Sequence, residues 1–444
     1  MGAEVPAFGV GLVGCGTVGG AVATLLTKDG AALRSRIGRR IELRGVVDVD
    51  FANAERLGLD PSLFRSDLDQ LLADDGVAAV VELVGGTTVA KQIIEQALRA
   101  NKHVVTANKA LLAHHGAELY ALARENGVCV AFEAACAGGI PIIRALCDGL
   151  IANRLDALYG IVNGTCNYIL TAMTRKGQSY ADALAQAQRD GLAEADPTLD
   201  VAGIDSAHKL AILAALAFGQ KVDFHAIPVE GIDSLELCDV QYGQELGYVI
   251  KLLAIAQRRP DGLALRVRPA FIHTDHPLAW VSGPFNAISV YGSAVGHTMY
   301  YGRGAGGMPT ASAVVADLAA VALGTAPQLF AQLPIFPDRT AAANQLPIEA
   351  VESRYYLRVV AEDKPGVLGQ ITAILGREGI SISSVLQHEP PAGSDPGAGV
   401  PVVITTARAV EGSVRKAIAE VDNLPAIKAQ STCIGIVDEH EEKI

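Results

Sequence analysis

At 444 residues the chain is too long for one hydrophobic core, so two to three domains are expected. Half of its residues are hydrophobic and only 19% are charged, which suits a well-buried α/β protein and excludes disorder as the dominant state. A formal net charge of -12 supplies no basic patch for phosphate backbones or anionic lipid, so neither nucleic acid nor membrane is implied as a partner.

Residues 7–13, AFGVGLV, read as a short buried strand entering Gly14-Cys15-Gly16-Thr17-Val18-Gly19 and then a helix, GAVATLLTKDG. In that strand–helix context GxGxxG binds a dinucleotide: the first glycine permits the tight turn, the second admits a pyrophosphate, and the third lets helix and strand pack closely. The second strand, IELRGVVDVD, ends on Asp48 and Asp50. An acidic residue there hydrogen-bonds the adenosine ribose, and no arginine follows until Arg56, so Asp48 tilts the choice between NAD and NADP toward NAD. Asp50 also fits a plain helix N-cap.

A further βα unit, VAAVVELVGG then TTVAKQIIEQALRANK, brings Gly85 to the carboxyl edge of the sheet. Next, HVVTANKALLAHHGAELYALARENG sets Thr106 and Lys109 in a turn directly after a strand, where doubly wound folds bind ligands. The small-residue loop Glu133-Ala-Ala-Cys136-Ala-Gly138-Gly-Ile140-Pro could turn its carbonyls toward a hard cation. A tight strand-to-helix turn without an ion fits it equally. Asn163-Gly164-Thr165 offers backbone N–H groups and a hydroxyl to a carboxylate.

The stretch GLAEADPTLDVAGIDSAHKL, Gly191 to Leu210, gathers Glu194, Asp196, Asp200, Asp205 and Lys209 around an Asp-Pro turn and a helix start. Pro197 breaks any preceding helix, and GIDSAHKLAILAALAFGQ reads as one helix ending near Gly219. Asp205 and Lys209 are then one turn apart on a face that continues as Ile212, Leu213 and Leu216. A solvated Asp/Lys pair is common and contributes only about 0.3–0.5 kcal/mol. The apolar continuation and the upstream carboxylates point instead to a buried lysine, costly unless paired and suited to acid/base work.

Residues 221–300 alternate strand-like runs (LALRVRPAFI, AISVYG) with a helix near ELGYVIKLLAIAQRRP, and fit an α/β layer with a subunit interface. Tyr301 to Leu318 is a glycine-rich turn feeding an apolar helix, and residues 325–350, with four prolines, read as a linker. Beyond lie YYLRVVAED, a Lys-Pro-Gly turn, VLGQITAILGREG, ISISSVLQHE, a Pro/Gly loop, VPVVITTA, EGSVRKAIAEVDNL and KAQSTCIGIV, in the order βαββαβ, then an acidic end expected to fray. The seven cysteines lack CxxC or Cys/His spacing, so neither a disulfide framework nor a zinc site is suggested, and a reducing cytoplasm fits. No targeting signal or run of about 18 apolar residues interrupts that reading, so a soluble cytoplasmic protein is expected.

The motifs GLVGCGTVG, ELVGG, HVVTANKALLA, EAACAGGIPI, VNGTCNYIL, GLAEADPTLDVAGIDSAHKL and GAGGMPTASAVVADL, with the later DKPGVLGQITAILGREGISISSVLQ, resemble over nearly the whole chain the homoserine dehydrogenases with a C-terminal ACT domain. The resemblance implies a Rossmann-type domain at 1–135 completed by about 302–325, an α+β substrate and dimerisation domain at 136–301, a linker at 326–352 and an ACT-like domain at 353–437. It implies that Lys209 is the proton donor and acceptor, with Lys109 near cofactor and substrate. Glu194, Asp200, Asp205, Gly164 and Thr165 would meet the substrate. Gly191 and Gly304 would approach the cofactor, joining the Gly14–Gly19 loop, Asp48, Gly85 and Thr106. Glu133, Cys136, Gly138 and Ile140 match a loop that holds a sodium ion. Members using NADPH often carry a basic residue where this chain has Asp48-Val49-Asp50. The implied activity is reversible NAD(P)-dependent interconversion of aspartate 4-semialdehyde and homoserine, in a homodimer or homotetramer with threonine as first candidate effector. Another Rossmann-fold amino-acid dehydrogenase would leave the 191–210 constellation unexplained. A non-catalytic amino-acid sensor would have no use for Lys109, Glu194, Asp205 and Lys209 together.

Overall fold

A computed structural model describes residues 6–389 and 399–441; the Pro/Gly loop of the C-terminal unit falls largely outside them. Strands β1 (Phe8–Val13), β2 (Ile41–Val47), β3 (Phe64–Arg65), β4 (Val77–Glu82), β5 (His103–Thr106) and β6 (Val130–Ala131) form one sheet in the order β3-β2-β1-β4-β5-β6. Every pairing in it is parallel. β1 is buried throughout, as a strand covered on both faces must be. The order reverses between β1 and β4, opening the crevice where such folds bind ligands. After a long excursion the chain returns as the helix Gly307–Ala322, which packs on the helix Thr17–Lys28.

The excursion and the C-terminal unit together build a second, ten-stranded sheet, the excursion supplying β7 (Leu155–Ile161), β8 (Tyr248–Arg259), β9 (Gly262–His273), β10 (Phe285–Gly292) and β11 (Gly296–Arg303), the C-terminal unit β12 (Glu352–Ala361), β13 (Ile382–Gln387), β14 (Val400–Thr406), β15 (Ala409–Val410) and β16 (Thr432–Val437). Its path is β11-β10-β7-β8-β9-β16-β12-β14-β13, with β15 on β12. The C-terminal βαββαβ unit carries its own core, including Tyr355, Ile371, Ile404 and Val414. Its sheet is nevertheless continuous with the catalytic one, because β16 pairs in parallel with β9 (Gly435↔Ala270 to Val437↔Ile272). Two buried ion pairs cross the seam: Arg358 reaches Asp239 at 2.6 and 3.0 Å, and Arg268 reaches Glu411 at 2.7 Å.

Three expectations need correction. ELGYVIKLLAIAQRRP is not a helix: the helix Leu237–Glu245 ends first, and β8 runs from Tyr248 to Arg259 in a long antiparallel hairpin with β9. Both faces of β8 are covered, so the alternation that marks a strand is erased. Residues 326–352 are not a free linker. The helix Thr325–Gln332 buries Phe330 beneath the Arg124 guanidinium, Arg124 pairs with Asp338 at 2.6 Å, and Ala342 and Gln345 bridge to Lys221 and Leu263. The acidic end starts tied rather than frayed, with Asp438 accepting from Arg354 at 3.1 Å.

Candidate active site

Two adjoining cavities of about 470 and 720 Å³ lie where the carboxyl edge of the parallel sheet faces the start of the helix Ile204–Phe218. Val18, Lys109, Glu194, Asp200 and Asp205 line both.

On the dinucleotide side each glycine of the fingerprint does a different thing. Gly14 has φ +92°, and a Cβ there would stand 2.9 Å from the Leu83 backbone. At Gly19 a Cβ would meet the Gly14 carbonyl oxygen at 2.0 Å, whereas nothing lies within 4 Å of one at Gly16. Turn, close packing and open approach therefore fall on separate residues. No side chain caps the Thr17–Lys28 helix, so its first N–H groups are left for an anion. Asp48 stands at the end of β2 and accepts from Cys15 N and, at 2.7 Å, from Val49 N, while Asp50 caps Ala52 N at 2.9 Å. Gly85, at φ +80°, lines the smaller cavity, and its N–H donates to the fully buried Glu82 at 3.0 Å.

On the substrate side, Lys209 and Lys109 converge on one carboxylate. Lys209 Nζ donates to Asp205 Oδ2 at 2.7 Å and to the Val162 carbonyl at 2.6 Å, while Lys109 Nζ lies 3.3 Å from Asp205 Oδ1. The Lys209 side chain is 10% exposed and that of Lys109 39%. Asn163 completes the cluster, donating to Asp205 at 2.9 Å and Asp200 at 2.7 Å while its own oxygen caps the helix Gly164–Lys176. Burial alone would raise the Asp205 carboxyl, but the ammonium groups of Lys209 and Lys109 and the bonds from Lys209 and Asn163 hold it down at about 2. Glu194 is exposed, lines both cavities, and its carboxylate has no donor among the described residues. Thr165 donates its hydroxyl to the Leu192 carbonyl at 2.7 Å. Gly164, Gly191 and Gly304 line the larger cavity.

Residues 14–133 match the family model for the homoserine dehydrogenase NAD-binding domain, residues 141–319 that for homoserine dehydrogenase itself, and residues 355–423 that for the ACT domain. A homoserine dehydrogenase of Pseudomonas aeruginosa is 46% identical over 94% of this chain and 96% of its own. The chain belongs to the homoserine dehydrogenase family. The Bacillus subtilis homoserine dehydrogenase is 40% identical over 86% of this chain and 88% of its own. The crystal structure of the enzyme from Thiobacillus denitrificans superposes with a TM-score of 0.91 at 44% identity, covering 98% of this chain and 99% of that one. A hyperthermophilic archaeal homoserine dehydrogenase in complex with NADPH gives a TM-score of 0.61 at 25% identity, over 72% of this chain and 98% of that one. The protein is thus an NAD(P)-dependent oxidoreductase acting on a hydroxyl group, with an ACT domain at its C-terminal end. Among the described residues no single helix is long and apolar enough to cross a membrane, and only the bent pair Gly307–Ala322 and Thr325–Gln332 passes on length and composition.

Within this homoserine dehydrogenase one expected residue keeps its side chain out of both cavities. Thr106 is fully buried and lines neither cavity; its hydroxyl donates to Glu82 at 2.7 Å and accepts from Asn108 N at 3.0 Å, so its side chain shapes the turn. In the Glu133–Ile140 loop, Ala137 takes φ +56° and Gly138 φ +44°. The carbonyls of Cys136 and Gly138 accept no hydrogen bond among the described residues. A Cβ at Gly138 would stand 2.7 Å from the Gly304 carbonyl oxygen, and one at Gly304 would run into the Asn286 side chain, so each glycine is needed against a different neighbour. The Glu133 carboxyl is raised to about 7 by burial and by Asp317, against the N–H groups of Arg144 and Ile143.

Three side-chain roles here lie beyond the sequence reading. Asn163 was legible as an N-cap, but its amide's grip on two distant carboxylates was not. Asn286, 1% exposed, lines the larger cavity beneath Gly304. His208 lines the smaller cavity, and burial with His114 nearby depresses its imidazole to about 4. Asn286 belongs to no motif with a recognisable spacing, and His208, though within the Gly191–Leu210 stretch, lacks a partner at a spacing that would mark it.

Proposed function

We propose that Lys209 exchanges the proton of the substrate oxygen during interconversion of aspartate 4-semialdehyde and homoserine. The observation that carries this is the convergence of two lysines on buried Asp205 at the wall of the cavity. Two of the three N–H donors of Lys209 are taken by Asp205 and the Val162 carbonyl, which leaves one for the substrate. Asp205 orients that donor, and Lys109, from the dinucleotide side, keeps the carboxylate balanced and reaches the same reacting group. Glu194, with its carboxylate free, takes the substrate ammonium. The Gly164–Thr165 helix start takes the carboxylate, and Asp200, held by Asn163, closes the pocket. The dinucleotide supplies and accepts the hydride at its nicotinamide, near Gly191 and Gly304. Following nicotinamide absorbance with homoserine tests the assignment: no turnover with either coenzyme overturns it.

Coenzyme choice rests on Asp48. A carboxylate at the end of β2 accepts from a ribose hydroxyl and repels a 2′-phosphate, so kcat/KM should be higher with NAD than with NADP. Asp48→Asn keeps an acceptor for Cys15 N and removes the charge. It should narrow the NAD to NADP ratio by about tenfold, the factor carried by about 1.4 kcal/mol. A wild type that favours NADP sinks this reading.

The unpaired carbonyls of Cys136 and Gly138 in a buried loop fit a hard cation such as sodium, with Glu133 and Ile140 completing the loop. Such an ion would fix the loop that supports Gly304. Melts in sodium chloride against choline chloride at equal ionic strength should show sodium raising Tm.

For the ACT domain, the turn Asp363–Leu368 places Gly366, at φ +91°, at the start of the helix Val367–Arg377, which suits an amino-acid carboxylate; threonine is the effector proposed. Truncation near Ala350 would not isolate this role, because it removes β12 and β16 from a shared sheet. Gly366→Asp puts a carboxylate where the effector's would bind: threonine inhibition should vanish while uninhibited turnover persists. Indifference of the wild type to threonine and other amino acids would make the module structural. Strand β13 at the sheet edge, with Val385 exposed, suits pairing between copies in a homodimer or homotetramer, which light scattering reads directly.

A further inference from the structure

A separate cavity of about 230 Å³ opens where the catalytic sheet meets the ACT unit, away from the dinucleotide and substrate residues. Tyr159 on β7, Gln257 on β8 and Arg266 on β9 line one side, and Ser353, Arg408 and Asp438 of the ACT unit line the other. Arg266 is only 4% exposed. Among the described residues its guanidinium has one hydrogen-bond acceptor: Nη1 donates to Gln257 Oε1 at 3.1 Å. The same oxygen accepts from Arg259 Nη2 at 3.3 Å, while Gln257 Nε2 donates to the Tyr159 hydroxyl at 2.7 Å. A neutral amide thus sits between two guanidinium groups where a counter-ion would be expected.

The contrast with the neighbouring arginines is informative. Arg268 and Arg358, buried in the same sheet, each hold a buried carboxylate, Glu411 at 2.7 Å and Asp239 at 2.6 Å. No carboxylate oxygen among the described residues comes within 4.0 Å of the Arg266 guanidinium nitrogens. Burial, with Arg268 beside it, pulls that guanidinium down to about 10. A desolvated cation without a counter-charge is destabilising, and such departures from self-consistent packing concentrate where a ligand supplies the missing partner. Carboxylate or phosphate oxygens suit the planar guanidinium fork. Of the five acids that line the cavity, two are committed to other arginines, Asp438 to Arg354 and Arg408 and Asp156 to Arg154. The other three, Glu352, Glu439 and Glu441, are exposed and would repel a long polyanion, which restricts the ligand to a small one.

We propose that this cavity binds a small oxyanion, phosphate or carboxylate, between Arg266 and Arg259, and that the bound anion ties the catalytic sheet to the ACT unit. The test is calorimetric titration of the full chain, held with saturating dinucleotide so that the cofactor site is filled, using inorganic phosphate in one arm and malonate in the other. Saturable binding is expected in at least one arm, and which arm responds distinguishes a phosphate from a carboxylate ligand. Arg266→Met and Arg259→Gln should each weaken it at least tenfold while kcat for homoserine oxidation stays unchanged. Without added anion, Arg266→Met should melt at or above the wild-type temperature, since it removes an uncompensated charge; a purely structural arginine would give a clear fall. Absence of saturable binding in both arms overturns the proposal, as does binding indifferent to the substitutions. If Arg266→Met does not fold, unchanged affinity in Arg259→Gln overturns it alone.

Discussion

Lys209→Ala should lower kcat by about 10²- to 10⁴-fold, the range typical of a lost general acid/base, while dinucleotide affinity stays close to wild type. The separation is expected because the Lys209 ammonium bonds Asp205 and the Val162 carbonyl and makes no hydrogen bond to the Gly14–Gly19 loop among the described residues. The variant should also fold. Asp205 keeps Lys109 at 3.3 Å and Asn163 at 2.9 Å, so no buried carboxylate is left without a partner. If Lys109 is the residual proton source, as proposed, Lys109→Ala in the same background should remove most remaining turnover. Titration of the reduced dinucleotide by fluorescence, beside steady-state rates, reads both quantities. Weakened dinucleotide binding with normal turnover at saturation would contradict the role given to Lys209.

Asp239→Ala should destabilise the protein by about 3–5 kcal/mol, the usual consequence of removing one member of a buried ion pair. Asp239 is 1% exposed and accepts two hydrogen bonds from Arg358 and one from the Tyr356 hydroxyl at 2.9 Å. Its loss strands a guanidinium whose remaining acidic partner, Glu236, is 62% exposed. Urea denaturation measures the difference, and a change under about 1 kcal/mol would mean that the seam is held elsewhere.

The parts of this fold legible in the sequence are those where local chemistry allows few alternatives. Gly14, Gly16 and Gly19 sit between an apolar run and a helix, and that context is what makes three glycines at this spacing a dinucleotide turn. Asp205 and Lys209 share a helix face, so their contact follows from the period alone. Lys109 joining them does not follow, because it arrives from another domain. β8 was misread because burial on both faces leaves a continuous apolar run that suits either period. For Thr106, sequence gives the place at the sheet edge but does not show that Glu82, on the neighbouring strand, claims its hydroxyl. The 326–352 segment has the composition of a tether, yet its aromatic residues find Arg124 far upstream.

The parallel pairing of β16 with β9 also bears on the order in which the protein assembles. β9 is translated long before β16, so on the ribosome it has β8 on one side and an open edge on the other. The catalytic sheet cannot finish until the ACT strands have emerged, and Arg268 waits as long for Glu411. Such unfinished edges are where nascent chains aggregate or recruit chaperones. Once β16 has docked, the ladder runs through both units without a break, and melting should proceed as one transition for β7 to β16.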